Sequence, residues 1–137
     1  MKHITSQSLN PVITREKKNK GASFTIKSNA SGKDYTYRVS RSKFKDKWFT
    51  HVEVETQYLV WKRLGCYFKG SIYNKGQKVT TPSAIAIGFV LDKVEKGKFE
   101  WLDGKTKIYH LDNCLVCGAT LTDAESLEVG LGPICRS

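Results

Sequence analysis

Long apolar runs are missing from this chain. The longest mostly apolar stretch, residues 84–91, is far shorter than the ~20 residues a bilayer-spanning helix needs. Nor do the first residues hold the apolar core of a secretory signal. Both absences lead us to expect a cytoplasmic protein with no membrane partner. Linkers rich in Pro or Gly are absent, so the 137 residues are expected to form one compact unit rather than two large domains. Cysteine is scarce: Cys66 stands alone, and Cys114, Cys117 and Cys135 sit near the end. In a reducing compartment this pattern suits a metal or redox element better than a disulfide framework.

Familiar nucleotide and catalytic motifs are missing too. Gly104-Lys105-Thr106 has Phe99 where the leading glycine of a phosphate loop belongs, and Gly130-Leu131-Gly132 has Cys135 in place of the third glycine of a dinucleotide fingerprint. A zinc deaminase would show His-x-Glu and Pro-Cys-x2-Cys. Here His110 is followed by Leu111 and Asp112, and no proline precedes Cys114. His3 and His51 stand apart from other reactive groups, and Cys66 reads as a small packed hydrophobe. The expectation is a protein that is not an enzyme and has no small-molecule substrate.

What is present is concentrated in the tail. His110, Cys114, Cys117 and Cys135 follow the spacing His-x3-Cys-x2-Cys-x17-Cys, a donor set that can close a tetrahedron around Zn2+. Cys114-Leu115-Val116-Cys117-Gly118 reads as a knuckle whose glycine lets the backbone turn beneath two thiolates. His110 is the favoured fourth ligand and Cys66 its competitor; iron suits the same donors. A filled site of this kind stabilises its module by something on the order of 10 kcal/mol.

Upstream, alternation predicts strands over residues 23–27, 35–39, 48–55, 58–62 and 66–69, with a first turn at residues 29–34. Thr81 as N-cap and Pro82 at the first helical position start a helix whose Ala84, Ile87, Leu91 and Val94 share one face and which Gly97 ends. Asp103-Gly104 predicts a hairpin between strands 99–102 and 105–109. Thr122 and Glu125 form a capping box for a short helix ending near Gly130. The expected fold is α+β: a small antiparallel sheet, one packed helix and a C-terminal treble-clef-like or ribbon-like zinc module. We divide it into a flexible arm (1–21), a basic sheet-and-helix body (22–109) and the zinc module (110–137).

The charge of +10 is unevenly spread, with −3 on residues 110–137 and +13 on the rest. An anionic partner is therefore expected on the body. Arg38, Arg41, Lys43, Lys45 and Lys47 crowd one strand end, and Lys62 and Arg63 follow Trp61. Tyr35, Tyr37, Phe44 and Trp48 are interleaved with the first cluster. Cations track phosphates and exposed rings stack on unpaired bases, which points to DNA or RNA.

The tail in full, Cys114-Leu-Val-Cys-Gly-Ala-Thr-Leu-Thr-Asp-Ala-Glu-Ser-Leu-Glu-Val-Gly-Leu-Gly-Pro-Ile-Cys135, resembles a family of small, mostly uncharacterised proteins of bacteriophages and actinobacteria. Those end in Cys-x2-Cys-Gly-x2-Leu-Thr-x3-Ser-x3-Gly-x-Gly-Pro-x-Cys, and every fixed position is present here. Tyr35-Thr36-Tyr37-Arg38-Val39 and the Tyr-rich residues 58–68 are similar more loosely. The resemblance implies a zinc-binding accessory protein in a phage setting, and no particular reaction. Nucleic-acid binding through the basic body is the expected function; the alternative is a phage-encoded factor that binds and inhibits or redirects a host protein.

Overall fold

The computed structural model describes residues 2–136, and Asn19 and Lys20 by backbone alone. Eight strands form one antiparallel sheet: β1 (Lys2–Ile4), β2 (Asn19–Ser28), β3 (Asp34–Phe44), β4 (Lys47–Gln57), β5 (Val60–Phe68), β6 (Ser71–Asn74), β7 (Gln77–Lys78) and β8 (Thr106–His110). Their order is β1-β8-β2-β3-β4-β5-β6-β7, so β2 to β7 meander while β8 returns between β1 and β2. The α+β class and antiparallel sheet agree with the sequence; the sheet is larger than the strand signals suggested.

Period-two alternation decides the faces. Phe24, Ile26, Tyr37, Val39, Val52, Val54 and Ile108 are buried beneath the helices. Their neighbours Thr25, Thr36, Arg38, His51 and Glu53 lie on the opposite face, where the Thr25 and Thr36 hydroxyls meet at 2.7 Å. The predicted strands 58–62 and 66–69 are one strand, β5, whose register slips by a residue around Leu64 and Gly65. Such a bulge breaks the alternation a sequence reader relies on.

The packed helix is α2 (Pro82–Glu95). The Thr81 hydroxyl accepts the Ala84 amide at 3.4 Å, and Ala84, Ile87, Val90, Leu91 and Val94 are buried against the sheet. Fully burying one such larger aliphatic contributes roughly 1.5–3 kcal/mol.

Three expectations need correction. Residues 2–14 are not a mobile arm: β1 pairs with β8, and a 3-10 turn (Ser6–Leu9) and α1 (Asn10–Thr14) bury Ile4, Leu9, Val12 and Ile13. The Ser6 amide donates to Asp103 at 2.8 Å and its hydroxyl to the Phe99 carbonyl at 3.2 Å. Asp103-Gly104 is no hairpin turn but part of helix α3 (Phe99–Lys105), which buries Leu102. Since β1 and β2 already occupy both edges of β8, residues 99–102 had no strand to pair with. Finally, Asp123 rather than Thr122 caps α4 (Ala124–Val129), accepting the Ser126 amide at 3.1 Å.

Candidate metal centre and basic sheet end

Beyond His110 the chain turns sharply. The Gly118 amide donates to the Cys114 carbonyl and the Cys114 amide to the Ala119 carbonyl, both at 2.8 Å, closing the knuckle. Gly130, at φ +75°, ends α4 in the left-handed region and presents its carbonyl to the Leu115 amide at 3.0 Å. The chain then enters α5 (Pro133–Arg136), which carries Cys135 back to the knuckle. The sulfurs of Cys114, Cys117 and Cys135 all lie within 4.8 Å of one another, a group that could hold a metal ion.

The donor chemistry fits a cation. Burial resists ionisation of Cys114, but the amides of Gly132, Cys117 and Val116 outweigh it and hold the thiol below its ordinary value. Burial, then hydrogen bonding and charge from Cys114 and Cys117, push Cys135 up to about 12. Three adjacent thiols thus cannot all ionise unless positive charge comes between them, and ligation requires thiolates. Thiolate sulfurs suit Zn2+, for which a tetrahedral edge is about 3.8 Å at a Zn–S distance of about 2.3 Å.

His110 is not part of that group. Its Nδ1 accepts the Asp112 amide at 3.0 Å, so Nε2 carries the proton and donates to the Leu127 carbonyl at 2.6 Å. A neutral imidazole has one donor and one acceptor, and both are used. Spacing brings His110 beside the knuckle, but its side chain ties β8 to α4. Cys66 is remote: its sulfur lies 3.5 Å from Nδ1 of His51 and 3.5 Å from the Arg63 guanidinium, on the open sheet face. Among the described residues no other His, Cys, Asp or Glu joins the three sulfurs.

The cysteine segment shares the core of the sheet through Leu115, Val116, Leu121 and Leu131. Gly21, at the irregularity in β2, permits this approach: a Cβ there would collide with the Val39 carbonyl oxygen and come within 2.8 Å of that of Leu115. Arg15 donates to the Cys135 carbonyl, and Arg136 pairs with Asp123 at 3.6 Å and Glu125 at 3.2 Å.

The structure divides the predicted basic set between faces. On the open face Arg38 grips Glu53 through two hydrogen bonds of 3.1 and 3.2 Å and lies 4.4 Å over the Trp61 ring. Nearby, Arg63 donates to Nδ1 of His51 at 3.2 Å. That bond leaves the imidazole proton on Nε2, which donates to the Ser42 hydroxyl at 2.5 Å. A base activating Ser42 would need the opposite polarity. On the helix side Arg41 donates to Thr50 at 2.7 Å and to the Arg15 carbonyl at 3.1 Å, with its guanidinium 5.8 Å from the Trp48 ring. Trp48 and Trp61 are half-buried and Tyr37 is fully buried, so none is a bare stacking platform. Lys62 is exposed toward the far end of β5.

Open rings lie at the hairpin tips instead. Phe44, between β3 and β4, is 63% exposed and Phe68, where β5 turns into β6, is 59% exposed. Lys45 sits 5.4 Å over the first ring and Lys69 5.3 Å over the second. Phe49 lies between them, and Lys43 and Lys47 flank the first tip. Sequence reasoning missed Phe49 and Phe68. Parity held the signal for Phe49, because Thr50 and Val52 point inward on the same strand.

Residues 106–137 match a family of unknown function, DUF6011. The matched segment begins at the first residue of β8 and so includes His110 and Leu127 as well as the three cysteines. No curated protein and no solved structure matches the chain. No helix among the described residues is long and apolar enough to cross a membrane.

Proposed function

We propose that this is a small zinc protein that binds nucleic acid through the lysine-and-phenylalanine tips of its sheet, with the metal in a structural role. The observation that carries the reading is the pairing at the tips of open phenyl rings with lysines. Residues 43–49, 68 and 69 contain one acid, Asp46, whose carboxylate is 3.9 Å from Lys43. Lys17 and Lys18 add charge beside them, on the connection that leads into β2, where Asn19 pairs with Arg41. Phosphates would meet the lysines and unpaired bases the rings, giving binding with little sequence preference. Three thiolates on Zn2+ carry a net negative charge and weaken it as a Lewis acid, and among the described residues no His, Asp or Glu joins the sulfurs to serve as a general base, which favours a structural role. The likeness of the tail to phage and actinobacterial proteins supports a mobile-element setting.

Fluorescence anisotropy with single-stranded oligonucleotides tests this. Log affinity should fall linearly with log salt, by about 0.7 per phosphate contacted, and Lys43, Lys45 and Lys47 changed together to Glu should abolish binding. Phe44→Ala and Phe68→Ala should each cost about 1–3 kcal/mol. Absence of binding at low salt defeats the proposal, as does a stoichiometric protein partner whose capture survives nuclease and moderate salt while no oligonucleotide binds.

A further inference from the structure

The end of the sheet away from these tips contains a cleft of about 690 Å3 between the β2–β3 turn, α2 and α3. That volume falls in the range of small-molecule sites, roughly 300–1,000 Å3. β3 runs from one end to the other, and its 11 residues span roughly 30 Å, so the cleft and the basic tips are separate surfaces. Ile26, Tyr37 and Val90 form its floor. Tyr35, Phe89 and Trp101 form its walls, the last two with ring centroids 5.7 Å apart and Trp101 46% exposed. The turn is fixed to α3, since the Asn29 amide donates to the Lys105 carbonyl at 3.0 Å and its side chain to the Gly104 carbonyl at 3.2 Å.

Lys33 and Lys105 also line this cleft. No carboxylate lines it, and among the described residues neither lysine has an acidic partner within ion-pair distance. An apolar, aromatic cavity with two uncompensated ammoniums is complementary to an apolar body carrying one negative group. A second copy of the chain is a poorer occupant, because its own cleft would bring the same two cations to the contact.

We propose that this cleft binds an amphipathic organic carboxylate, its hydrocarbon or ring system between Tyr35, Phe89 and Trp101 and its carboxylate between Lys33 and Lys105. No sequence motif signals such a ligand. Its lining comes from three segments, 26–37, 85–90 and 101–106, which only the fold brings together.

Isothermal titration of the zinc-loaded full chain with dodecanoate and with 2-naphthoate tests it, the pair distinguishing chain from ring bodies. One-to-one binding of at least one is expected, with no comparable binding of dodecyltrimethylammonium, which has the same chain and the opposite charge. Changing Lys33 and Lys105 together to Glu, both exposed and free of ion pairs, should weaken the bound acid at least tenfold. Ala86→Trp, which fills the cleft, should abolish binding while leaving oligonucleotide affinity unchanged. The proposal is overturned if neither acid binds saturably, if the cationic chain binds equally well, or if the double lysine variant keeps full affinity. It is also overturned if sedimentation shows a dimer that Trp101→Ala dissociates.

Discussion

Replacing His110 separates two roles that its spacing leaves fused, ligand and scaffold. The imidazole is fully buried and satisfies the Leu127 carbonyl and the Asp112 amide. His110→Ala strands the Leu127 carbonyl beside the vacated space, while the amide of Asp112, an exposed residue, can turn to water. The unsatisfied carbonyl costs about 1–3 kcal/mol and the cavity left by the imidazole roughly 2–3 more, so the expected loss is about 3–6 kcal/mol. His110→Gln restores a donor near Nε2 and His110→Asn an acceptor near Nδ1, so each should lose about half as much. None of the three removes a sulfur, and all should retain one equivalent of metal. Urea unfolding followed by circular dichroism gives the stability, and elemental analysis after dialysis against buffered zinc gives the stoichiometry. X-ray absorption at the zinc edge of the wild type should show three sulfurs and no imidazole scattering. An imidazole on the metal, or a His110→Gln protein that folds normally yet holds no metal, would refute the reasoning.

Removing the metal, by chelation or by Cys117→Ser, should forfeit something on the order of 10 kcal/mol locally. Hydrogen exchange should then rise over residues 110–136 and over residues 2–14 packed beside them, with β3 to β5 still protected; unchanged exchange counts against a structural metal. Gly21→Ala forces a methyl group onto the Val39 carbonyl oxygen and should destabilise by about 2–4 kcal/mol, an unfolding shift that Ala22→Ser, one residue on, should not reproduce. Burial, then the charges of Arg63 and Arg41, hold His51 below its ordinary value of 6.5. Below pH 6.5 the unfolded chain therefore takes up a proton that the folded chain refuses, and stability falls as pH drops through that value toward the lower folded one. In His51→Asn that component should vanish, so the wild-type and variant denaturation midpoints should diverge least near pH 5.

The helix α2 was legible because everything that specifies it is local: a hydroxyl cap, a proline at the first position, apolar residues three and four apart, and a glycine at the end. Strand alternation was legible for the same reason, except at Leu64, where one bulged residue inverts the parity and splits β5 in two on paper. The errors share a different cause. Asp103-Gly104 is a good turn for two strands only if both edges of the pairing are free, and β8 is flanked by β1 and β2, the former from the far end of the chain. Residues 2–14 looked mobile because the charged run 15–20 dominates their composition, yet Ile4, Leu9, Val12 and Ile13 supply an apolar face that only a distant partner can use.

The candidate metal centre divides in the same way. Two cysteines separated by two residues, and a third returned by Gly130, Gly132 and Pro133, come together through short-range turns, and the structure assembles them. Whether a neighbouring histidine completes the set is decided by which of its lone pairs is free, and that depends on the Asp112 amide and the Leu127 carbonyl, the latter 17 residues away. The same logic applies to the basic residues. Composition counts Arg38 and Arg41 with Lys43 and Lys45, but two antiparallel neighbours and a ring beneath each guanidinium have committed the arginines to the sheet itself. Lys45 lies in the turn beyond the last pair of the β3–β4 ladder, and Lys43 and Lys47 have a strand neighbour on one side only, so their charge stays available to an outside anion. Reversing Lys45 should therefore cost oligonucleotide affinity with little loss of stability. Arg41→Ala should lower the unfolding midpoint more than Lys45→Glu, because the Arg15 carbonyl and Thr50 lose their donor.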